Sequence, residues 1–175
     1  MYQGTAKTWI GIALFTIVLV STLIRIPLLS IPFERDEGEY AYIGWRLNYG
    51  EIPYKDWVDQ KPPAIFWTYK YALHLPFERI QSVHIMVLLF SIGTSACLFF
   101  FAQTFLPPLW AILSALIFIF ISTDPFAQGT AANTEQFMAF PLTFSLVLMS
   151  LLRSHDQLEI SVMREIFTNK KRSSF

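Results

Sequence analysis

Charge is scarce in this 175-residue sequence. Only 15% of the residues are Asp, Glu, Lys or Arg, against about 25% in an ordinary soluble domain, which leaves too little polar surface to coat a water-facing globule. Between Ile80 and Leu152 there is no Lys or Arg, and the only acids are Asp124 and Glu135. Clustered cations, which nucleic-acid binding requires, are confined to a short Lys170-Lys171-Arg172 run, so nucleic acid is set aside as a partner. Cysteine is nearly absent: the single Cys97 lies in an apolar run, closes no disulfide and reads as a small buried residue. His74, His84 and His155 show no metal-ligand spacing, so no metal site and no cofactor are expected, with a divalent cation left open.

What is abundant is apolar: 54% of the chain is hydrophobic and its net charge is zero. A membrane-crossing helix needs about 20 predominantly apolar residues to cover about 30 Å. The pattern predicts an all-α membrane protein with four transmembrane helices, at about 9–29, 80–105, 109–123 and 137–152, plus two juxtamembrane amphipathic helices between the first two. The first run is longer than a signal-peptide core and lacks a small-x-small cleavage site, so it reads as a retained anchor. Arg25, just before Ile26-Pro27, is expected to snorkel to the headgroups. Pro107-Pro108 breaks the second run from the third. The third and fourth are short, which predicts trimmed or tilted ends. Ser91/Ser95 and Gly93/Cys97, four apart, offer a face for close helix approach.

Residues 1–152 thus read as one membrane module and 153–175 as a polar tail. With four spans, the loops 30–79 and 124–136 share one side and both termini the other. Five bases in the tail and Lys7 before the first span narrowly favour cytoplasmic termini and outer-facing loops in the plasma (inner) membrane.

The 30–79 loop is too long and too aromatic to be a simple connector. From Asp36 to Ile52 the pattern places Tyr40, Ile43 and Leu47 on one helical stripe, as in a helix lying along a membrane surface. A second helix is expected to open at Lys61-Pro62-Pro63 and continue through Trp67, Tyr69 and Tyr71, whose rings suit a half-wet interface. Asp36 and Glu37 in a first helical turn complement the helix dipole, a contribution of about 0.3 to 1 kcal/mol. Lys61 is either an interfacial cation or a point charge for a phosphate leaving group.

The order of these motifs carries more than any one of them. An apolar span, then Arg35-Asp36-Glu37-Gly38-Glu39-Tyr40-Ala41, then Asp59-Gln60-Lys61-Pro62-Pro63, an aromatic helix and closely spaced spans resemble the amino-terminal part of the GT-C fold membrane glycosyltransferases. That group includes dolichyl-phosphate-mannose protein mannosyltransferases and undecaprenyl-phosphate aminoarabinose transferases. The resemblance implies inverting transfer of a sugar from a polyprenyl-phosphate carrier to an acceptor at the outer face. It assigns Asp36 as general base and Glu37, Tyr40, Lys61, Asn133 and Glu135 as substrate-binding candidates. Glu37, about 100° around the helix from Asp36, falls to an orienting or acceptor-binding role. Glu135 also reads as a helix N-terminal acid, and Asp124-Pro125 as a turn closing the third span.

Members of that fold are longer, and the tail carries nothing family-like. The chain then reads as an incomplete gene product, a piece that assembles with a separately encoded remainder, or a small membrane protein reusing the module without activity. The expected partners are a polyprenyl-phosphate-linked sugar, membrane lipids and, in the second case, that remainder, with little turnover by the chain alone. A non-catalytic membrane assembly protein and a transporter subunit are the rival classes. The second is disfavoured by the near absence of charge within the spans.

Overall fold

The computed structural model describes residues 2–172, with side chains described from 7 to 153. In chain order the helices are α1 (Tyr2–Arg25), α2 (Arg35–Arg46), α3 (Ala64–Ala72), α4 (Arg79–Ala102), α5 (Pro108–Ile121) and α6 (Thr134–Arg172). Short 3₁₀ turns follow α1, α2 and α5. No β-strand occurs among the described residues, apart from an isolated bridge between Pro53 and Trp57.

Three stretches are long and apolar enough to cross a membrane: Lys7–Leu28, Arg79–Ala102 and Thr134–Arg153, with mean hydropathies of 2.2, 2.3 and 1.5. The chain is an all-α protein built to sit in a membrane, but the expectation of four spans reduces to three. The third expected span is a helix of 14 residues, about 21 Å long and short of the about 30 Å hydrocarbon thickness. Its ends are set by local chemistry rather than by hydropathy. Pro107 and Pro108 supply an N-cap and first turn that need no amide donor. At the other end Asp124 accepts the amide of Phe126 at 2.9 Å and closes the turn after it.

Helix α4 occupies the centre, packed against α1, α5 and α6. Ala111, Ala115 and Ile119, one helical face of α5, pack on Ala13 and Ile17 of α1 and Phe99 of α4. Ser91, Ser95 and Cys97 are buried. A methyl group on Gly93 would stand 2.8 Å from the Phe140 ring of α6, so the small-residue face does admit a close neighbour. Outward-facing side chains of α6, among them Leu142, Phe144, Leu148 and Leu151, are exposed, as in a helix wetted by lipid.

Helices α2 and α3 form a small second core over the end of the bundle. The Tyr40, Ile43 and Leu47 stripe is present and buried, but it packs against α3 and α4 rather than on a membrane surface. α2 and α3 approach so closely at Gly44 that a Cβ there would meet the Lys70 amide nitrogen at 2.8 Å and the Phe66 carbonyl oxygen at 3.0 Å. Pro62 and Pro63 precede α3 rather than forming its first turn. Tyr69, expected to be half wet, is fully buried, whereas Trp67 and Tyr71 are exposed. A hydroxyl bond explains it: Tyr69 donates to the Ala132 carbonyl at 2.8 Å, which lets the whole ring leave water.

Arg25 overturns a second expectation. It does not reach outward but is 3% exposed, with its guanidinium donating to the Ser122 carbonyl at 3.0 Å and to Gln136 Oε1 at 3.1 Å. Gln136 Nε2 donates to the same Ser122 carbonyl at 2.9 Å. Thus α5 carries the chain back to the end of the bundle where α1 finishes, and α6 starts there. Helix α6 runs on past the apolar stretch into the polar tail, as one 39-residue helix to Arg172. Residues 173–175 of that tail lie outside the described residues.

Candidate functional site

The first turn of α2 aims two adjacent carboxylates in different directions, as the 100° helical step requires. Asp36 is partly exposed and pairs with Arg35 at 3.2 Å. Glu37 is 1% exposed. Its Oε2 accepts the Glu34 amide at 2.8 Å, tying back to the residue before the helix. Its Oε1 accepts the Ala132 amide at 2.7 Å and faces His84 Nε2 at 3.0 Å. Burial alone would raise the Glu37 pKa, but the His84 bond and the amides of Glu34 and Ala132 outweigh it and hold it below the usual carboxylate range. His84 Nδ1 in turn lies 3.3 Å from the Leu29 carbonyl.

These bonds fix the loop before α6. The peptide unit on either side of Ala132 is held at both ends, its N–H by Glu37 and its C=O by Tyr69. The residues that follow, Asn133, Thr134 and Glu135, are thereby brought beside the shelf made by α2 and α3. Glu37 and Tyr69 are positioning residues in this arrangement, since neither presents a polar atom to solvent.

Lys61 enters from the loop before α3. Its backbone is pinned twice: the amide donates to Asp59 Oδ1 at 3.0 Å, and the carbonyl accepts the Tyr54 hydroxyl. The ammonium sits 5.9 Å from the centre of the Tyr40 ring. Its pKa is raised, first by the Tyr40 hydroxyl and then by the charges of Glu135 and Asp36. No atom meets hydrogen-bond geometry with the buried Tyr40 hydroxyl, so the Lys61–Tyr40 approach is one of charge to dipole rather than a formed bond.

Of the six residues singled out in the sequence, Lys61 stands against the Tyr40 ring, and the charges of Glu135 and Asp36 are felt at its ammonium. Glu135 is exposed at the first turn of α6. Asn133 is 8% exposed; its amide donates to Gln128 Oε1 at 3.4 Å. The carbonyl oxygen of its side chain has no partner, and neither have Asp59 Oδ2 and Thr134 Oγ1. Unpaired buried polar atoms cost free energy unless something fills them, and these flank Lys61 and Glu135 in sequence. Glu37 stands apart, closed off by protein donors.

A sizeable groove lies elsewhere. With a volume of about 910 Å³, it runs along the opposite face of α2, between Gly38, Trp45, Asn48 and the α3–α4 turn at His74 and Arg79. Neither Asp36 nor Lys61 lines it. Among the described residues no three His, Cys, Asp or Glu side chains gather as a metal site.

Sequence reasoning missed His84, Tyr69 and Arg25 as members of this framework. For His84 and Arg25 a signal existed, since a polar side chain inside an apolar span has a partner or a task. For Tyr69 nothing in the sequence distinguished it from its exposed neighbours. No family model, curated protein or solved structure matches the chain.

Proposed function

We propose that the chain is a membrane glycosyl-transfer module acting on a sugar carried by a polyprenyl phosphate. Asp36 serves as the general base, and Lys61 as the cation that receives the departing phosphate. The observation that supports this reading is the Lys61 ammonium over the Tyr40 ring, with Asp36 on the same helix α2 and Glu135 on α6 adding their charges.

The chemistry needs few groups. An acceptor hydroxyl gives its proton to Asp36 and forms a bond to the anomeric carbon. The bond from that carbon to the phosphate oxygen breaks on the opposite side, so the configuration inverts. Charge growing on the phosphate is stabilised by Lys61. The unpartnered Tyr40 hydroxyl and Asn133 carbonyl are left to bind phosphate or sugar hydroxyls. Glu135 orients the ammonium or the acceptor. In this reading the shelf and the 124–136 loop face the outside of the plasma membrane and the termini face the cytoplasm, the short α5 with its flanking turns bringing the chain back to the outer end of the bundle.

Donor binding tests the proposal without requiring turnover. The chain in detergent, titrated with a short-chain polyprenyl-phosphate sugar, is expected to bind it, and Lys61→Gln to weaken binding at least about tenfold. Equal binding by both proteins would remove Lys61 from its role. A membrane assembly function draws on a different observation, the exposed apolar flanks of α5 and α6. Cross-linking to one stable partner, unaffected by Asp36 and Lys61 substitutions, would favour it instead.

A further inference from the structure

One face of α1 carries Ala13, Ile17, Ser21 and Arg25, a residue at every fourth position, and all of it is buried. Ala13 and Ile17 are covered by Phe99 of α4 and by Ala115 and Ile119 of α5. The next two turns are polar: Ser21 and Arg25 are 0% and 3% exposed. The Ser21 hydroxyl has no partner, and neither has the Arg25 Nε–H, because the bonds of the guanidinium all leave from Nη2. We propose that these donors hold one small monovalent anion, chloride, inside the bundle.

Geometry gathers the donors. A long side chain on a helix leans back over the preceding turn, so Arg25 runs toward Ser21, four residues earlier on the same face. The facing helix adds a third group. α1 and α4 run antiparallel, with Leu29 meeting His84 at one end and Ala13 and Ile17 meeting Phe99 further in. That register brings Ser21 level with Ser91, which is 2% exposed and whose hydroxyl is also unpartnered. Charge then selects an anion over water, because a buried ion is costly unless an opposite charge accompanies it. Among the described residues no carboxylate pairs with Arg25. Asp124, two residues from Ser122, caps the Phe126 amide, and Glu135, beside Gln136, is exposed. Glu37 is taken up by His84 and two amides. The acids further along α6 begin at Asp156, 20 residues beyond Gln136 on one continuous helix, about 30 Å away. One guanidinium calls for one negative charge, and a monatomic ion is the form that such deep burial admits. The inference is independent of any sugar chemistry at the shelf.

The test is thermal unfolding of the full chain in detergent at one ionic strength, in sodium chloride or in sodium gluconate, whose anion is too bulky to enter. Chloride is expected to raise the melting temperature by about 3 °C or more at saturation, and bromide to do the same. Arg25→Met, which removes the charge while filling the space, should abolish the rise. Ser21→Ala breaks none of the bonds shown and should cut the rise by roughly half or more. Equal melting of the unaltered chain in the two salts would mean that water alone fills the hub, and would overturn the proposal. So would a rise that persists in Arg25→Met, the mark of halide bound at the surface, or one that Ser21→Ala leaves unchanged.

Discussion

The Arg25 guanidinium donates to the Ser122 carbonyl at 3.0 Å across 97 residues of sequence. Among the described residues no carboxylate pairs with it. Its partners are a carbonyl, the Ser122 hydroxyl at 3.4 Å and the Gln136 amide, which disperse the charge without neutralising it. Hydrogen bonds from a charged group contribute about 1.5 to 3 kcal/mol each when buried, while removing the charge relieves desolvation. Arg25→Ala loses the bonds and leaves a cavity, so it should destabilise by about 2 kcal/mol or more. Arg25→Met, which fills the space, should cost clearly less. Thermal unfolding in detergent of the two variants separates the bonds from the packing.

Glu37→Ala strips a buried partner from three donors, the amides of Glu34 and Ala132 and the His84 ring. Each donor left unsatisfied costs about 1 to 3 kcal/mol, so the shelf should detach from α6 or the chain fail to fold. Hydrogen exchange at the Ala132 amide would report the detachment first.

The pH dependence follows from the same residue. Its pKa is lower in the folded protein than in the unfolded chain, where it is about 4.3. The stabilisation is therefore full above the unfolded value and is lost as pH falls through the folded one. Melting temperature should hold at neutral pH and drop below about pH 4. In Glu37→Gln the part of the drop due to this residue should vanish.

Gly44→Ala places a methyl group against backbone atoms of α3 rather than against a flexible side chain. Neither helix can yield locally, so α2 and α3 must separate, at a cost of about 1 to 3 kcal/mol. Gly38→Ala, on the same helix with open space around it, should stabilise slightly through helix propensity. Opposite signs from the pair, measured by denaturant unfolding, would locate the contact.

Asp36→Asn should keep the fold, since the carboxylate's bonded partner is the exposed Arg35. In any context that supports sugar transfer, it should lower the rate at least about 10²-fold, the usual weight of a general base. Undiminished transfer would take Asp36 out of the mechanism.

Periodicity carried the shelf well: the spacing of Tyr40, Ile43 and Leu47 found the buried face of α2 because a helix repeats every 3.6 residues whatever covers it. What covers it was not legible, since the same stripe suits lipid or protein. Hydropathy placed the three long spans and misjudged α5, whose length is decided by prolines and an aspartate turn. The expected end of the last span at 152 matches the apolar stretch to Arg153, and the helix itself runs further because a helix does not end where its hydrophobicity does. Arg25 was misread for a related reason: sequence gives a residue's depth along a span but not the direction it faces. Of the candidate site, the sequence made legible only the position of Asp36 in the first turn of α2 and of Lys61 before α3; the tie between α2 and the loop before α6 depends on Glu37 meeting His84 and Ala132, 47 and 95 residues away.

Synthesis imposes an order on the Arg25 hub. When α1 leaves the ribosome, neither Ser122 nor Gln136 has been made, so the guanidinium first meets the bilayer with only water and lipid to receive it. Its move inward waits for the α5–α6 turn to arrive about a hundred residues later. Maturation of the bundle thus has a late locking event, and nascent chains stalled before that turn should leave position 25 open to aqueous labelling reagents that the finished protein excludes.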